Sequence, residues 1–373
     1  MSSSLKIMIS ACELSADNYA GELVKALLKK EPNCTIFGIG SNACKAAGMD
    51  VRYDMATLST VGIIEPLRFL PRLYQSLNKI KTLLRDEKPD IFIPMDNQGL
   101  HIECCKYAKK LGIKTAYYIA PQHWHWGKKS DGIKLASLVD HVLAIFKQEA
   151  DFYQSCGARV AYVGHPIVDR IKPFRSDQKK DNVLAIFPGS RVQEIETLLP
   201  TLIQSAEQLE TELQLQPIIS IASSRYANTI NDIVKKYATK SFEYHEGASL
   251  ELISKSCLSL VSSGTVSLEH ALMAVPHVVT YRFNPITYWI ATTFFKKTLA
   301  KIPFMSMPNM MLGKEVFPEL LQNNVTVNSC VKKAKHIYLN NQKEIKKECD
   351  KLWDDLNQGV VAEQAATTIL SII

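Results

Sequence analysis

Short apolar runs alternate with longer amphipathic stretches along the chain. LKIMISA (5–11), CTIFGIG (34–40), DIFIPMD (90–96), KTAYYIA (114–120), HVLAIF (141–146) and ARVAYVGHP (158–166) are nearly continuous in apolar residues, each at strand length. Between them, residues 17–30, 76–88 and 100–111 carry apolar positions at helical spacing. Strands apolar on both faces and separated by helices predict a parallel sheet covered on each side. The alternation stops after Pro166 in the polar stretch IKPFRSDQKKDN. It restarts with VLAIFPGS (183–190), a helix over 194–212, PIISIAS (217–223), CLSLVSSG (257–264) and HVVTYR (277–282). The expected architecture is α/β, with two doubly wound Rossmann-like domains (1–170 and 183–330) facing a central cleft, and a charged helical extension over 331–373. In such folds ligands bind outside the carboxyl ends of the strands, so the loops after the strands are where chemistry is expected.

Composition narrows this picture. A chain of 373 residues, 46% apolar and 22% charged, suits two full-sized cores and excludes a disordered, collagen-like or disulfide-stapled protein. The net charge of +7 is spread along the chain, which fits an anionic substrate or an anionic membrane face and gives no nucleic-acid tail. Nine cysteines, an odd number, and an opening segment interrupted by Glu13 and Asp17 argue for a reduced, cytoplasmic setting. No apolar run approaches the roughly 18 residues of a membrane span. Cys104 and Cys105 beside His101, and His123 with His125, lack zinc-site spacing, so neither a metal nor another cofactor is expected.

Several strand ends carry candidate chemistry. Gly38-x-Gly40-x-x-Ala43 matches the dinucleotide fingerprint only in outline and follows the second strand, so nicotinamide binding is rejected. The first strand runs into Glu13, Ser15 and Asp17, which read either as helix caps or as ligands for sugar hydroxyls. DIFIPMD ends in Asp96, an acid whose partial desolvation would make it a better base. Gly189, Ser190 and Arg191 form a tight turn before a helix bearing Glu194, an arrangement suited to a diphosphate. Ser263, Gly264 and Thr265 repeat the device before a helix bearing Glu269, a candidate for ribose hydroxyls. The two turns together favour a nucleoside diphosphate. Finally, Ile63, Leu67, Leu70, Tyr74 and Leu77 oppose Arg68, Arg72 and Lys79. That stripe reads as a core-facing helix or as an interfacial one, interrupted at Pro71. A second aromatic and basic stretch, YWIATTFFKKTLAKI (288–302), is a further candidate for membrane contact.

In order and spacing these motifs resemble the lipid-A-disaccharide synthases. The resemblance rests on Glu13-x-Ser15-x-Asp17, Asp96, Tyr118-x-x-Pro121-x-x-Trp124-x-Trp126, Val163-Gly164-His165-Pro166 and Pro188-Gly189-Ser190-Arg191-x-x-Glu194-Ile195. It continues through Ser263-Gly264-Thr265-x-x-Leu268-Glu269, Tyr281-Arg282, Pro308-Asn309 and Pro318-Glu319-Leu320-Leu321-Gln322. It implies an inverting glycosyltransferase of the two-Rossmann B architecture, without a metal. Such an enzyme moves 2,3-diacylglucosamine from its UDP derivative to the 6-hydroxyl of 2,3-diacylglucosamine 1-phosphate, giving a β-1,6-linked disaccharide and UDP. By the same resemblance Asp96 is the base and Arg191 neutralises the departing UDP. Glu269 holds the ribose, with Gly189, Ser190, Gly264 and Thr265 around the diphosphate, and Asn309 and Gln322 stand at the cleft. The stretch 63–82 admits acyl chains, the protein sits on the anionic inner face of the cytoplasmic membrane, and homodimers with exchanged C-terminal segments are expected. The alternatives are an epimerase or transferase using UDP-N-acetylglucosamine, or an inactive UDP-sugar-binding module. This chain departs from the family at Cys12 and Ala16, which stand for glycines, and at Asn97–His101, where the family reads Ala-Pro-Asp-Phe-Asn. It also departs at Gln122 and His123, which stand for small residues, and at Gly127, which stands for a basic one.

Overall fold

A computed structural model describes residues 4–54, 65–175, 181–247, 249–283 and 303–373. Within them the chain forms two compact units, residues 1–167 with 355–373, and residues 168–354. In the first, β1 (Lys6–Ala11), β2 (Thr35–Gly40), β3 (Asp50–Asp54), β4 (Ile91–Met95), β5 (Lys114–Tyr118), β6 (His141–Ala144) and β7 (Val160–Tyr162) form one sheet. Its order is β3-β2-β1-β4-β5-β6-β7 and the pairs are parallel. In the second, β8 (Val183–Phe187), β9 (Gln216–Ile221), β10 (Glu243–Glu246), β11 (Ser256–Ser262), β12 (His277–Tyr281) and β13 (Glu319–Leu321) form a parallel sheet ordered β10-β9-β8-β11-β12-β13. In both sheets the strand order reverses beside the first strand, the doubly wound pattern.

The central strands β1, β4, β5, β8 and β11 are the apolar runs of the sequence and are buried along nearly their whole length. The edge strands β3 (DVRYD) and β10 (EYHE), and the three-residue β13, escape a search for apolar runs because they are polar or very short. The glycines of the rejected dinucleotide motif have a packing role. A Cβ on Gly38 would lie 2.0 Å from the Ile9 carbonyl oxygen, and one on Gly40 would lie 2.8 Å from Cys44.

Two expectations are corrected. The tail is not one extension: helices Val327–Asn340 and Gln342–Leu356 lie largely or wholly in the second unit, while helix Val361–Ile372 packs on helix Leu14–Lys30 of the first. Helix Glu65–Glu87 also runs through Pro71 without a break. Its later half is a core helix, because Ile80, Leu83 and Leu84 are buried and Leu73 and Leu77 pack against the same cluster. Lys79 lies over the Tyr53 ring at 4.3 Å. Tyr74, by contrast, is 67% exposed. Ile63 and the stretch 288–302 lie outside the described residues, as do the side chains of Leu67, Arg68, Leu70 and Arg72.

One buried acid sets a pH dependence in the first unit. Glu149 Oε2 accepts the Ile145 and Phe146 backbone N–H groups at 2.8 and 3.3 Å, while Oε1 is buried without a hydrogen-bond partner. Burial pushes its carboxyl up to about 8. The folded protein therefore holds a proton that the unfolded chain releases near the ordinary glutamate value of about 4.3. Stability from this site is full below that value and is lost as pH rises through about 8. Glu149→Gln, which keeps an acceptor for both amides, should flatten this loss. Urea midpoints at acid and alkaline pH should differ less in the variant than in the parent, and equal differences would contradict the assignment.

Candidate active site

The first unit gathers its chemistry where β1 and β4 end side by side, Ala11 opposite Met95. Glu13 and Ser15, both half-buried, open the helix that follows β1; Glu13 is its N-cap residue but makes no side-chain cap. Asp17 does not cap that helix either. Its Oδ1 accepts backbone N–H groups of Ser41 at 2.6 Å and Cys44 at 3.4 Å, and its Oδ2 that of Ala43 at 2.9 Å. The side chain is 1% exposed, so Asp17 closes the turn after β2 and is withdrawn from the expected contact with sugar hydroxyls.

Asp96 ends β4 in a left-handed conformation, φ +54°, and Asn97 follows at +43°. Asn97 Oδ1 accepts the Leu100 N–H and caps helix Gln98–Lys110. The Asp96 carboxylate uses Oδ1 to accept the Asn97 N–H at 2.8 Å. Burial raises its pKa from the ordinary aspartate range, and the Asn97 amide opposes that rise. The Asp96 main-chain carbonyl accepts two more hydrogen bonds, from the Tyr117 hydroxyl at 2.7 Å and from His101 Nδ1 at 2.8 Å. His101 is fully buried, its Nε2 is 2.8 Å from Ser10 Oγ, and burial pushes its pKa down to about 4. A carbonyl can only accept, so Nδ1 carries the proton, Nε2 accepts from Ser10, and the ring is neutral. Neither ring nitrogen is left to serve as a base.

In the second unit, β8 and β11 pair with Phe187 opposite Val261, which brings the Gly189 and Gly264 turns next to each other. Gly189 has φ +123°, and a Cβ there would lie 2.5 Å from Glu194 Oε2. That oxygen accepts the Ser190 N–H at 3.1 Å, while Oε1 pairs with Arg191 Nη1 at 2.5 Å. Glu194 is thus buried within the turn as a brace, in place of the expected substrate contact. Tyr226 adds a second brace, its hydroxyl donating to the Ser190 carbonyl at 2.8 Å. Arg191 itself is the N-cap residue of helix Val192–Leu213, with a side chain 42% exposed. Beside it, Ser263 is half-buried, and Gly264, φ +148°, and Thr265 are exposed at the start of helix Thr265–Leu272. Glu269, one turn further, is buried and accepts from Ser249 Oγ at 3.0 Å; burial raises its pKa, which the Ser249 hydrogen bond and Arg170 oppose.

The last two candidates part company. Asn309 is wholly buried: its amide donates to the Phe317 carbonyl at 2.7 Å and to Glu319 Oε1 at 2.8 Å, and its Oδ1 accepts the Val316 and Phe317 N–H groups. Every polar atom is used within the fold, so Asn309 is a clamp on the loop before β13 and not a cleft contact. Gln322 follows β13 with φ +53°, and its Nε2 is buried without a hydrogen-bond partner. Arg282, after β12, donates to the carbonyls of Thr197, Val325 and Gln322 and holds this loop to helix Val192–Leu213. Sequence reading did not find Ser10, Tyr117, Tyr226 or Ser249, because each acts on a residue at least 20 positions away with no local motif. Among the described residues no group of three or more His, Cys, Asp or Glu side chains is arranged to hold a metal.

A family model described as lipid-A-disaccharide synthetase matches residues 7–371. A lipid-A-disaccharide synthase of Gloeothece citriformis is 32% identical, with 99% of this chain and 100% of that protein covered. One of Myxococcus xanthus is 31% identical over 99% of this chain and 97% of its own length. Among solved structures, the glycotransferase of kitacinnamycin superposes with a TM-score of 0.68 at 13% identity, with both chains covered completely. A Staphylococcus aureus MnaA structure with UDP gives 0.67 at 15% identity over 99% of this chain and 98% of that one. These low identities support the fold alone; the full-length sequence matches support more. The chain belongs to the lipid-A-disaccharide synthase family, glycosyltransferases built from two Rossmann-like units.

Proposed function

We propose that this chain transfers 2,3-diacylglucosamine from UDP to the 6-hydroxyl of 2,3-diacylglucosamine 1-phosphate. The observation that carries this reading is the pair of glycine turns after β8 and β11, adjacent in one sheet and each opening a helix. Two helix N-termini, a glycine that permits close approach and the Arg191 guanidinium suit the diphosphate of a UDP-sugar. Gly189, Ser190, Ser263, Gly264 and Thr265 surround it in this reading, Glu269 accepts from the ribose, and the Gln322 amide supplies a further donor. In the first unit Asp96 takes the proton from the acceptor hydroxyl, through Oδ2, which has no hydrogen-bond partner among the described residues. Its raised pKa makes it a stronger base than an exposed aspartate. Glu13 and Ser15 contact the acceptor sugar. Charge building on the departing UDP is met by Arg191, and no metal is assigned a part.

Arg191→Ala should lower turnover by about two orders of magnitude, the usual loss for one preorganised charge donor. A folded variant with near-parental turnover would remove Arg191 from the chemistry.

The same proposal places the protein on the anionic inner face of the cytoplasmic membrane, as a homodimer, with the early part of helix Glu65–Glu87 admitting acyl chains. No helix among the described residues is long and apolar enough to cross a membrane. What supports a peripheral contact is the exposure of Tyr74, together with the presence of two basic residues, Arg68 and Arg72, shortly before it in the sequence. Tyr74→Ser should weaken binding to anionic vesicles without changing the melting temperature. Unchanged vesicle binding would show that this helix is not the contact.

A further inference from the structure

Three of the seven non-glycine residues with positive φ among the described residues cluster where β4 and β5 end: Asp96, Asn97 and Ile119. Aspartate and asparagine adopt this region at modest cost, but a β-branched residue such as Ile119 does so only under constraint. Ile119 is tied in by its carbonyl, which accepts the Asp96 N–H at 3.2 Å. The Asp96 carbonyl is held from the other side by His101 and Tyr117, so both ends of the Asp96 peptide are anchored.

We propose that His101 is the positioning residue for Asp96: its Nδ1–H, together with the Tyr117 hydroxyl, holds the Asp96 carbonyl and so aims the carboxylate. The inference rests on the reading of Asp96 as the base. A carboxylate on a two-torsion side chain points where its backbone points, and an error of about 1 Å in a reacting group costs on the order of a hundredfold in rate. The ring meets Ser10, Cys12, Phe92, Tyr117 and the Asp96 carbonyl. Ser10 has a defined part, because its hydroxyl, donating to Nε2, keeps the proton on Nδ1. An asparagine Nδ2 stands at the same number of bonds from Cβ as histidine Nδ1, so both residues can donate to the same carbonyl. Glutamine reaches instead toward the position of Nε2. Histidine and asparagine are thus two solutions to one requirement.

The test uses the purified full chain, UDP-diacylglucosamine and diacylglucosamine 1-phosphate, with UDP release as the readout. His101→Ala should lower kcat at least tenfold with donor KM within about twofold. His101→Asn should stay within about threefold of the parent, and His101→Gln should resemble the alanine variant. Tyr117→Phe and Ser10→Ala, each lacking one hydroxyl, should lose a few-fold in kcat, with the fold retained and the melting temperature lowered by no more than a few degrees. The asparagine–glutamine pair decides the matter even if the alanine variant does not fold, since a role in filling space would favour the larger glutamine. Equal kcat for the two, or a better glutamine variant, overturns the proposal. So does a pH–rate limb near neutrality that disappears in His101→Asn, which would make His101 itself the base. Asp96→Asn separates the underlying reading: it should lose nearly all transfer while UDP still binds. If it stays active, Asp96 is not the base whatever the His101 series shows. If it is inactive and the His101 series is flat, the positioning role alone fails.

Discussion

A strand of a parallel sheet ends in a turn whose backbone N–H groups face no neighbouring strand, and after three of its strands this chain meets them with an acidic side chain. Asp17 serves the turn after β2, Glu149 the turn after β6, and Glu194 the turn after β8. Glu319, on β13, accepts the Met305 and Ser306 N–H groups at 2.7 and 3.0 Å. A buried amide left unpaired costs about 1–3 kcal/mol, and an ionised acid accepting from it makes a charge-assisted bond stronger than a neutral one, whereas Glu149, kept protonated by burial, accepts as a neutral acid. This demand sorts the acids at the strand ends. Those that brace two or more backbone amides, or an amide and a neighbouring side chain, are committed to the fold, whereas Asp96 serves only the amide of its own neighbour and keeps Oδ2 for another partner.

That sorting explains what could and could not be read from the residues. The central strands were legible because burial on both faces leaves an unbroken apolar signature, and the paired glycine turns because φ values of +123° and +148° need glycine. Asp17 was misread for a physical reason: a serine and an acid at a helix start look like local caps, yet the amides that Asp17 serves begin 24 residues downstream. Asn309 and Glu194 were misread in the same way, since residue type and position do not distinguish a substrate ligand from a brace. Only the count of occupied hydrogen-bonding atoms does so. The orientation of Asp96 was equally hidden, because it depends on Ser10, His101 and Tyr117, which are far apart in sequence and adjacent only after the sheet forms.

The departures from the family pattern also acquire a local account. Cys12, in place of glycine, and His101, in place of asparagine, are neighbours, with Sγ 3.7 Å from Nε2. The two side chains therefore share one buried site beside the Asp96 carbonyl. At Gly127 a side chain would place its Cβ 2.6 Å from His123 Cα, so the close turn after helix His123–Trp126 excludes the basic residue usual there. Ala16, in place of the other glycine, is buried in the core. All of these positions lie in the unit that holds Asp96, and none falls within Gly189–Arg191 or Ser263–Thr265.

The most direct measurement is the identity of the product formed from the two lipid substrates by the purified full chain. NMR assignment of the glycosidic linkage, with UDP quantified in parallel, reports which hydroxyl lost its proton and on which face the sugar was attacked. A β-1,6-linked disaccharide formed in step with UDP is the result expected of a base at the end of β4 and an anion site at the ends of β8 and β11. UDP released without disaccharide, or a donor sugar epimerised at C2 and still attached to UDP, would contradict it.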